Sequence, residues 1–287
     1  WLRKCLRSIF AETSEVSFEI IVVDNASKDR SVQVAMNEFT GVRVVRNATN
    51  LGFAAAVNQG IAVSTGRYVC LLNPDTEISD RALERLVEFM DRKPDVGIAG
   101  PHLINEDGST QSSVRRFPTW SDQLLILSKL HFLFPDSKAL SKYLMRGFDY
   151  RREQVVDQVM GACFMIRREV IDQIGTFDES FFIWFEEVDY CKRIKERTSF
   201  QVAYFPEAHV LHAGGDSFQK VSAGKKRRWY AKSVRYYFRK HKQWGAYVAA
   251  VSIIPFAWLV GGVASLYLKT KKGRASAEAA EASRKRS

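Results

Sequence analysis

Three short apolar runs, each ending in a polar turn and each followed by a stretch of helical length, constrain this chain more than any other feature. Glu19–Val23 (EIIVV) empties into Asp24, Asn25, Ala26 and Ser27, ahead of a helical stretch from Ser31 to Phe39. Val42–Val45 follows, its exit carrying Asn47, Asn50, Leu51 and Gly52 before the Ala-rich stretch Phe53–Ser64. Tyr68–Leu72 (YVCLL) is the third run; it opens onto Asn73, Pro74 and Asp75, with a helix predicted over Ser79–Arg92. β-Branched runs alternating with helices of this length imply right-handed crossovers and a mostly parallel α/β sheet flanked by helices. Asp24, Asn50 with Gly52, and Asp75 then share the carboxyl edge of the sheet, where open α/β folds bind ligands. Taken singly, each exit is an ordinary turn, because Asn, Pro, Asp and Gly dominate turns for backbone reasons; three on one edge point to a ligand.

No G-x-G-x-x-G follows a strand and no G-x-x-x-x-G-K-[ST] occurs, which removes the dinucleotide fingerprint and the P-loop. Gly52, just ahead of a helix, still suits close approach of a phosphate or sugar to backbone and helix N-terminus. The four cysteines are scattered without a C-x-x-C pair, which predicts reduced thiols in a cytosolic enzyme and neither zinc nor disulfides. Trp1–Ala11 reads as a helix with Leu2, Cys5, Leu6, Ile9 and Phe10 on one face. In a parallel fold a strand should precede that helix, so the first strand is expected to lie upstream of this sequence.

Further along, Val96–Ala99 reads as a strand, Pro101–Pro118 as a polar loop, and Gln123–Phe134 as a dense apolar, helix-like run. Val159–Ile166 (VMGACFMI) reads as a buried strand, then a short helix Arg168–Ile174 stopped by Gly175. In FDESFFIWFEEVDYCKRIKE, Glu186, Glu187 and Asp189 sit beside Trp184 and Phe185. Carboxylates in apolar surroundings are candidates for a raised pKa, as a general base near neutral pH needs; acids solvated in a helix first turn are the alternative. Gln201–Phe205 is a strand, followed by HVLHAGGDS. His209 and His212 stand at odd spacing and so point to opposite faces of a strand, and His212, beside Gly214 and Gly215, is the better ligand.

The formal net charge is +11, yet ten of the Lys and Arg residues fall between Ser217 and Lys242 with no acid among them. There the positives interleave with Tyr230, Val234, Tyr237 and Phe238 at helical spacing, the pattern of a membrane-surface helix. Trp244–Leu268 then runs for 25 residues without a charge, long enough to span a bilayer, although Pro255 and Gly261–Gly262 also permit an interfacial hairpin. Basic flanks on both sides leave the orientation open. The expected divisions are a catalytic domain over 1–217, a basic amphipathic helix over 218–243, a membrane-associated segment over 244–268 and a charged tail over 269–287. Nucleic acid is not an expected partner, since the basic region abuts an apolar tail and no recognition fold.

Taken in order, IIVVDNASKD, NLGFAAAVNQGI, LLNPDTEI, GACFMIRREVIDQIGTFDESFFIWFEEVDYCKR and HVLHAGGDS resemble a family 2 glycosyltransferase of the GT-A fold, in its rhamnosyltransferase-like branch. The resemblance covers about Trp1–Ser217. It implies an inverting, metal-dependent sugar transfer, with Asp24 at the nucleotide base and Asn50 with Gly52 near the nucleotide sugar and phosphates. Asn25 and Asn73 complete the expected nucleotide-binding set, Asn73 standing in place of the first acid of a D-x-D motif. Asp75 would bind Mg²⁺ or Mn²⁺, and His212 matches a His that helps hold the metal or the diphosphate. Glu187 falls where many relatives carry a catalytic Asp; being one methylene longer, it leaves Glu186 and Asp189 as alternatives for the base. The implied partners are a dTDP- or UDP-linked donor, dTDP-rhamnose being the leading choice, and a lipid-linked or cell-envelope glycan acceptor. The implied place is the cytoplasmic face of the cell membrane. A membrane-tethered binding module without turnover and a nucleotidyltransferase are the competing classes; the second should carry a glycine- and lysine-rich phosphate loop, and the chain has none.

Overall fold

The computed structural model describes residues 1–214 and 221–252, and the chain divides into two compact units, Trp1–Phe117 with Leu144–Ser233 and Pro118–Tyr143 with Val234–Ser287. These boundaries run along other lines than the 1–217, 218–243, 244–268 and 269–287 divisions. In the first unit, helix α1 (Leu2–Glu12) precedes strand β1 (Ile20–Asp24), α2 (Ser31–Glu38), β2 (Val42–Arg46), α3 (Phe53–Val63) and β3 (Tyr68–Leu72). The alternation therefore falls where the apolar runs put it. Cys5, Leu6 and Ile9 of α1 are buried as the helical spacing requires, whereas Phe10 is 42% exposed and stacks on Phe39 at 5.8 Å.

After β3 the chain departs from the expected helix at Ser79. Thr76–Ser79 forms strand β4, because Thr76 and Ile78 alternate inward, and α4 (Ala82–Arg92) begins only after Asp80 and Arg81 turn the backbone through left-handed conformations. Strands β5 (Val96–Ile104) and β6 (Val114–Arg115) follow; then, beyond the second unit's insertion, come β7 (Gln154–Val156), β8 (Gln158–Val159), β9 (Cys163–Arg167), α7 (Arg168–Ile174), α8 (Glu186–Arg197) and β10 (Gln201–His212). The stretch read as one strand over Val159–Ile166 is thus split at Gly161, and the loop read over Pro101–Pro118 holds the end of β5 and all of β6.

The expectation of a mostly parallel sheet is corrected. Among the described residues only β1–β2 and β5–β10 pair in parallel; β3–β9, β9–β5, β10–β4, β10–β7 and β6–β8 are antiparallel. The physical reason is β9, which slots between β3 and β5 against the direction of both and gives the order β3-β9-β5-β10-β4. Its side chains alternate with period two, as a strand covered on both faces requires. Cys163 and Met165 enter the core beneath α1 and α4, while Phe164 and Ile166 enter the one beneath α7 and α8. β10 was expected to stop at Phe205. It bulges at Pro206–Ala208, where proline has no N–H for the ladder, and resumes to His212. Its first half pairs with β7 and its second half with β4.

In the second unit, α5 (Trp120–Leu127) opens on a capping box between Thr119 and Asp122, and a 3₁₀ turn (Leu130–Phe132) and α6 (Lys138–Tyr143) follow, so the expected helix over Gln123–Phe134 is two pieces. Helix α9 (Ala223–Lys240) carries the basic run and belongs to the first unit as far as Ser233 and to the second from Val234. Of the residues in the stripe, Val234, Tyr237 and Phe238 are buried, and Tyr230 is half-buried and packs on Phe185. This overturns the reading of that face as a membrane-surface stripe: the spacing was right, but the face meets protein. No described helix is long and apolar enough to cross a membrane. Most of the expected 244–268 membrane segment lies outside the described residues; 244–252 is helical.

Candidate active site

The edge of the first unit is assembled by polar side chains that join the strand exits. Asn25, just past β1, donates through Nδ2 to Asn50 Oδ1 at 3.1 Å and to the Gly52 carbonyl at 2.9 Å. Its Oδ1 accepts from the Leu51 amide at 2.9 Å and from Asn47 Nδ2 at 3.2 Å. One side chain so satisfies four groups of the β2 exit, and Asn47 is further held by a reciprocal amide pair with Gln59. Asp24 is buried and accepts from the Ser27 amide at 3.0 Å, closing the β1 turn. Gly52 carries φ +96°, and a Cβ there would lie 2.7 Å from the Phe182 carbonyl oxygen, so only glycine fits. The adjacent Phe53 amide donates to the same carbonyl at 2.8 Å. The β2 exit is thereby bonded to the aromatic segment that leads into α8.

The β3 exit is tied to the same place by a second route. The Asn73 amide donates to the Ala162 carbonyl at 2.9 Å, and its neighbour Gly161 lies against Glu187, whose Cβ would be 3.7 Å from a side chain at that position. Trp184 and Phe185 both adopt positive φ, 61° and 74°, which is rare for large side chains and aims the first turn of α8. Glu186 is buried and Glu187 half-buried, and the Oε2 atom of each lies buried without a hydrogen-bond partner. Burial, reinforced by the charge of Glu187, pushes the Glu186 carboxyl well above the ordinary carboxylate range. Burial also raises Glu187, opposed by the amides of the helix start and by the Arg115 guanidinium. The third acid is differently placed. Asp189 is fully buried and accepts from Arg193 Nε at 2.9 Å, and Arg193 also donates to the Ile174 and Thr176 carbonyls. Its carboxylate belongs to a packing network and does not share the environment of Glu186 and Glu187.

Asp75 and His212 meet because β4 and β10 pair with His212 opposite Thr76. Both are buried, with His212 Nε2 3.5 Å from Asp75 Oδ1, and the Ala213 amide donates to the Asp75 carbonyl at 3.0 Å. Two ligands about 2.1 Å from one ion lie about 3.0 Å apart at adjacent octahedral positions, and the 3.5 Å of this pair is about half an ångström wider than that edge on Mg²⁺ or Mn²⁺. Among the described residues no group of three or more His, Cys, Asp and Glu side chains could hold a metal. An ion held by this pair would therefore leave most of its coordination sphere to phosphate oxygens and water, as hard divalent ions commonly do. His209, three residues earlier, faces the other way, toward Asp80 at 3.3 Å.

Several contributors carry no signal in the sequence. Gln111, whose Oε1 is 2.7 Å from His212 Nδ1, sits in a segment that reads only as polar loop. Arg115, Gly161 and Phe182 likewise reach the site through pairings between distant parts of the chain. The four cysteines are free thiols; Cys70 and Cys163 approach to 4.0 Å between sulfurs.

Comparison with known proteins gives the family and the fold. Residues 1–175 match the model of the family described as Glycosyl transferase family 2. The chain is 29% identical over 226 residues to the N-acetylglucosaminyl-diphospho-decaprenol L-rhamnosyltransferase of Mycobacterium tuberculosis, covering 74% of this chain and 71% of that protein. It is 22% identical over 250 residues to the rhamnosyltransferase WbbL of Escherichia coli, covering 84% and 89%. Among solved structures, the mannosyltransferase PcManGT of Pyrobaculum calidifontis, in complex with GDP-Man and Mn²⁺, superposes with a TM-score of 0.54 at 18% identity over 94% of this chain and 71% of that one. GalNAc-T7 with UDP, GalNAc and Mn²⁺ gives a TM-score of 0.57 at 16% identity over 83% of this chain and 45% of that one. These likenesses bear out the α/β GT-A fold. The chain belongs to glycosyl transferase family 2.

Proposed function

We propose that the protein is a metal-dependent, inverting glycosyltransferase that moves rhamnose from a dTDP- or UDP-linked donor to a lipid-linked or cell-envelope glycan acceptor at the cytoplasmic face of the membrane. The observation that carries this reading is the convergence of the Asp75–His212 pair, the Asn25-stapled strand exits and the Glu186–Glu187 helix start on one edge of one unit. The rhamnosyl and lipid-linked parts rest on the relatives' names, since the mycobacterial protein's name describes a rhamnosyl transfer to N-acetylglucosaminyl-diphospho-decaprenol. A membrane partner is supported by Trp244, Val248 and Val251, exposed one turn apart in the helical stretch 244–252.

In this reading Asp24, Asn25, Asn50, Gly52 and Asn73 line the nucleotide end of the donor. Asp75 and His212 would hold Mg²⁺ or Mn²⁺, which would supply the positive charge that steadies the departing diphosphate. Glu187 takes the proton of the acceptor hydroxyl as its oxygen bonds to the anomeric carbon. The bond from that carbon to the diphosphate oxygen breaks, the electron pair leaves with the nucleoside diphosphate, and attack from the opposite face inverts the centre. Burial pushes the Glu186 carboxyl well above the ordinary carboxylate range and so favours its neutral form, which leaves the base's role to Glu187.

A panel of dTDP- and UDP-sugars, each incubated with Mn²⁺ and a polyisoprenyl-diphosphate glycan, tests this by nucleoside diphosphate release. The expected result is acceptor-dependent release from dTDP-rhamnose and its loss in Glu187→Gln. Release from no donor in the panel would overturn the proposed reaction, and normal turnover by Glu187→Gln would move the base elsewhere.

A further inference from the structure

We propose that Gln111 is a positioning residue that fixes His212 as the Nδ1–H tautomer and so presents an unprotonated Nε2 toward Asp75 and a divalent ion. The inference rests on the Asp75–His212 metal reading and goes beyond it by assigning the proton that makes the pair competent. Gln111 lies after β5, anchored by its own amide to the Leu103 carbonyl at 2.8 Å. Its side-chain amide has one orientation that satisfies its surroundings. Nε2 donates to the His212 carbonyl at 3.2 Å and to Asn105 Oδ1 at 2.8 Å, and the first of these is a backbone oxygen that can only accept. Turning the amide over would set two oxygens against each other. With Nε2 committed, Oε1 is the atom 2.7 Å from His212 Nδ1, so the imidazole must donate there.

A neutral imidazole that donates from Nδ1 has only a lone pair at Nε2. That lone pair faces Asp75 Oδ1 at 3.5 Å in a buried place. An unprotonated Nε2 beside a carboxylate oxygen is the arrangement in which both atoms can be ligands of one divalent ion. A proton would make His212 an imidazolium paired with Asp75; a divalent ion would use both atoms as ligands. Gln111 favours Nδ1–H in either case, so the two states differ only at Nε2, and a spectroscopic readout separates them. Partners of this kind fix ring orientation, and their loss commonly weakens metal binding by about 10–100-fold.

The test has two arms. Imidazole ¹⁵N shifts of His212 in the metal-free enzyme, recorded well above the ordinary imidazole pKa, are expected to show Nδ1 protonated and Nε2 bare, and Gln111→Leu to move the proton toward Nε2. An Nε2–H tautomer or an imidazolium in the wild type would overturn the inference. In the second arm, free Mn²⁺ is measured by electron paramagnetic resonance in the presence of UDP. Gln111→Leu should weaken Mn²⁺ binding by about 10–100-fold, while Gln111→Glu, which keeps an acceptor opposite Nδ1 but sets its second oxygen against the His212 carbonyl, should bind Mn²⁺ more tightly than Gln111→Leu. Unchanged affinity in a folded Gln111→Leu, with Asp75→Ala binding abolished, would sink the role of Gln111 and leave the metal site standing. Full Mn²⁺ binding by Asp75→Ala would instead sink the metal reading itself.

Discussion

At the scale of single residues, the acid pair at the start of α8 makes the sharpest claims, because burial acts on the two carboxyls in different roles. A base must be ionised, and Glu187 is raised by burial, so turnover should fall as pH drops through a value above the ordinary Glu range. We expect the acidic limb of the kcat/KM profile to reflect this. We expect Glu187→Gln to lose about 10²–10⁴-fold in turnover while retaining donor binding, read by calorimetry. Glu186 predicts a stability effect. Its folded pKa lies above the unfolded one, so its contribution is intact in acid and is lost as pH rises through the folded value. Glu186→Gln should therefore melt higher than wild type at neutral pH and equal to it in acid, as scanning calorimetry would show. Asp189→Ala should instead destabilise by about 3–5 kcal/mol in denaturant melts, because it strands Arg193 in the core. The sequence made the acids visible, since three carboxylates beside Trp and Phe are unusual. It left their roles open, because Arg193 stands one helical turn from Asp189 in a run of charges that reads as solvated. Gln111 was illegible for another reason: its meaning lies in His212, one hundred and one positions away.

At the scale of elements, the strand exits were legible because turn chemistry is local: Asp24, Asn50–Gly52 and Asn73–Asp75 fall where β-branched runs end. What joins them was not. Asn25 works by reaching across to the β2 exit, and Gly52 by admitting Phe182, which lies one hundred and thirty positions further along the chain. Asn25→Ala removes four hydrogen bonds and should cost about 1–3 kcal/mol, with donor affinity falling as the two exits come apart. A Gly52→Ala change would meet the Phe182 backbone under a positive φ; lowered melting temperature together with weakened nucleotide binding is the expected outcome. The parallel-sheet expectation failed at β9, whose buried apolar run has the same composition whichever way it pairs. The helix expected at Ser79 failed because TEIS is too short for periodicity to distinguish a strand from a first helical turn.

At the scale of the whole molecule, the family match accounts for the order of the motifs, and the mixed sheet accounts for how they meet on one edge. The basic helix α9 changed most between sequence and structure. Its apolar stripe was correctly periodic, but Trp229 packs on Phe182 at 4.9 Å, Tyr230 on Phe185 at 5.4 Å, and Ser233 donates to the Ile183 carbonyl at 2.9 Å. The helix that composition assigned to a membrane thus braces the segment that aims Glu186 and Glu187. Periodicity reports that a face is apolar and is silent on what covers it. The account depends most on Asp75 and His212 acting as one divalent-ion site at the convergence of the strand exits. The measurement that tests it most directly is the rate of sugar transfer after chelation and on return of Mn²⁺, in wild type and in Asp75→Ala. The account predicts a rate abolished by chelation, restored by Mn²⁺ in the wild type and not in the variant; undiminished transfer after chelation, or wild-type rates from Asp75→Ala, would contradict it.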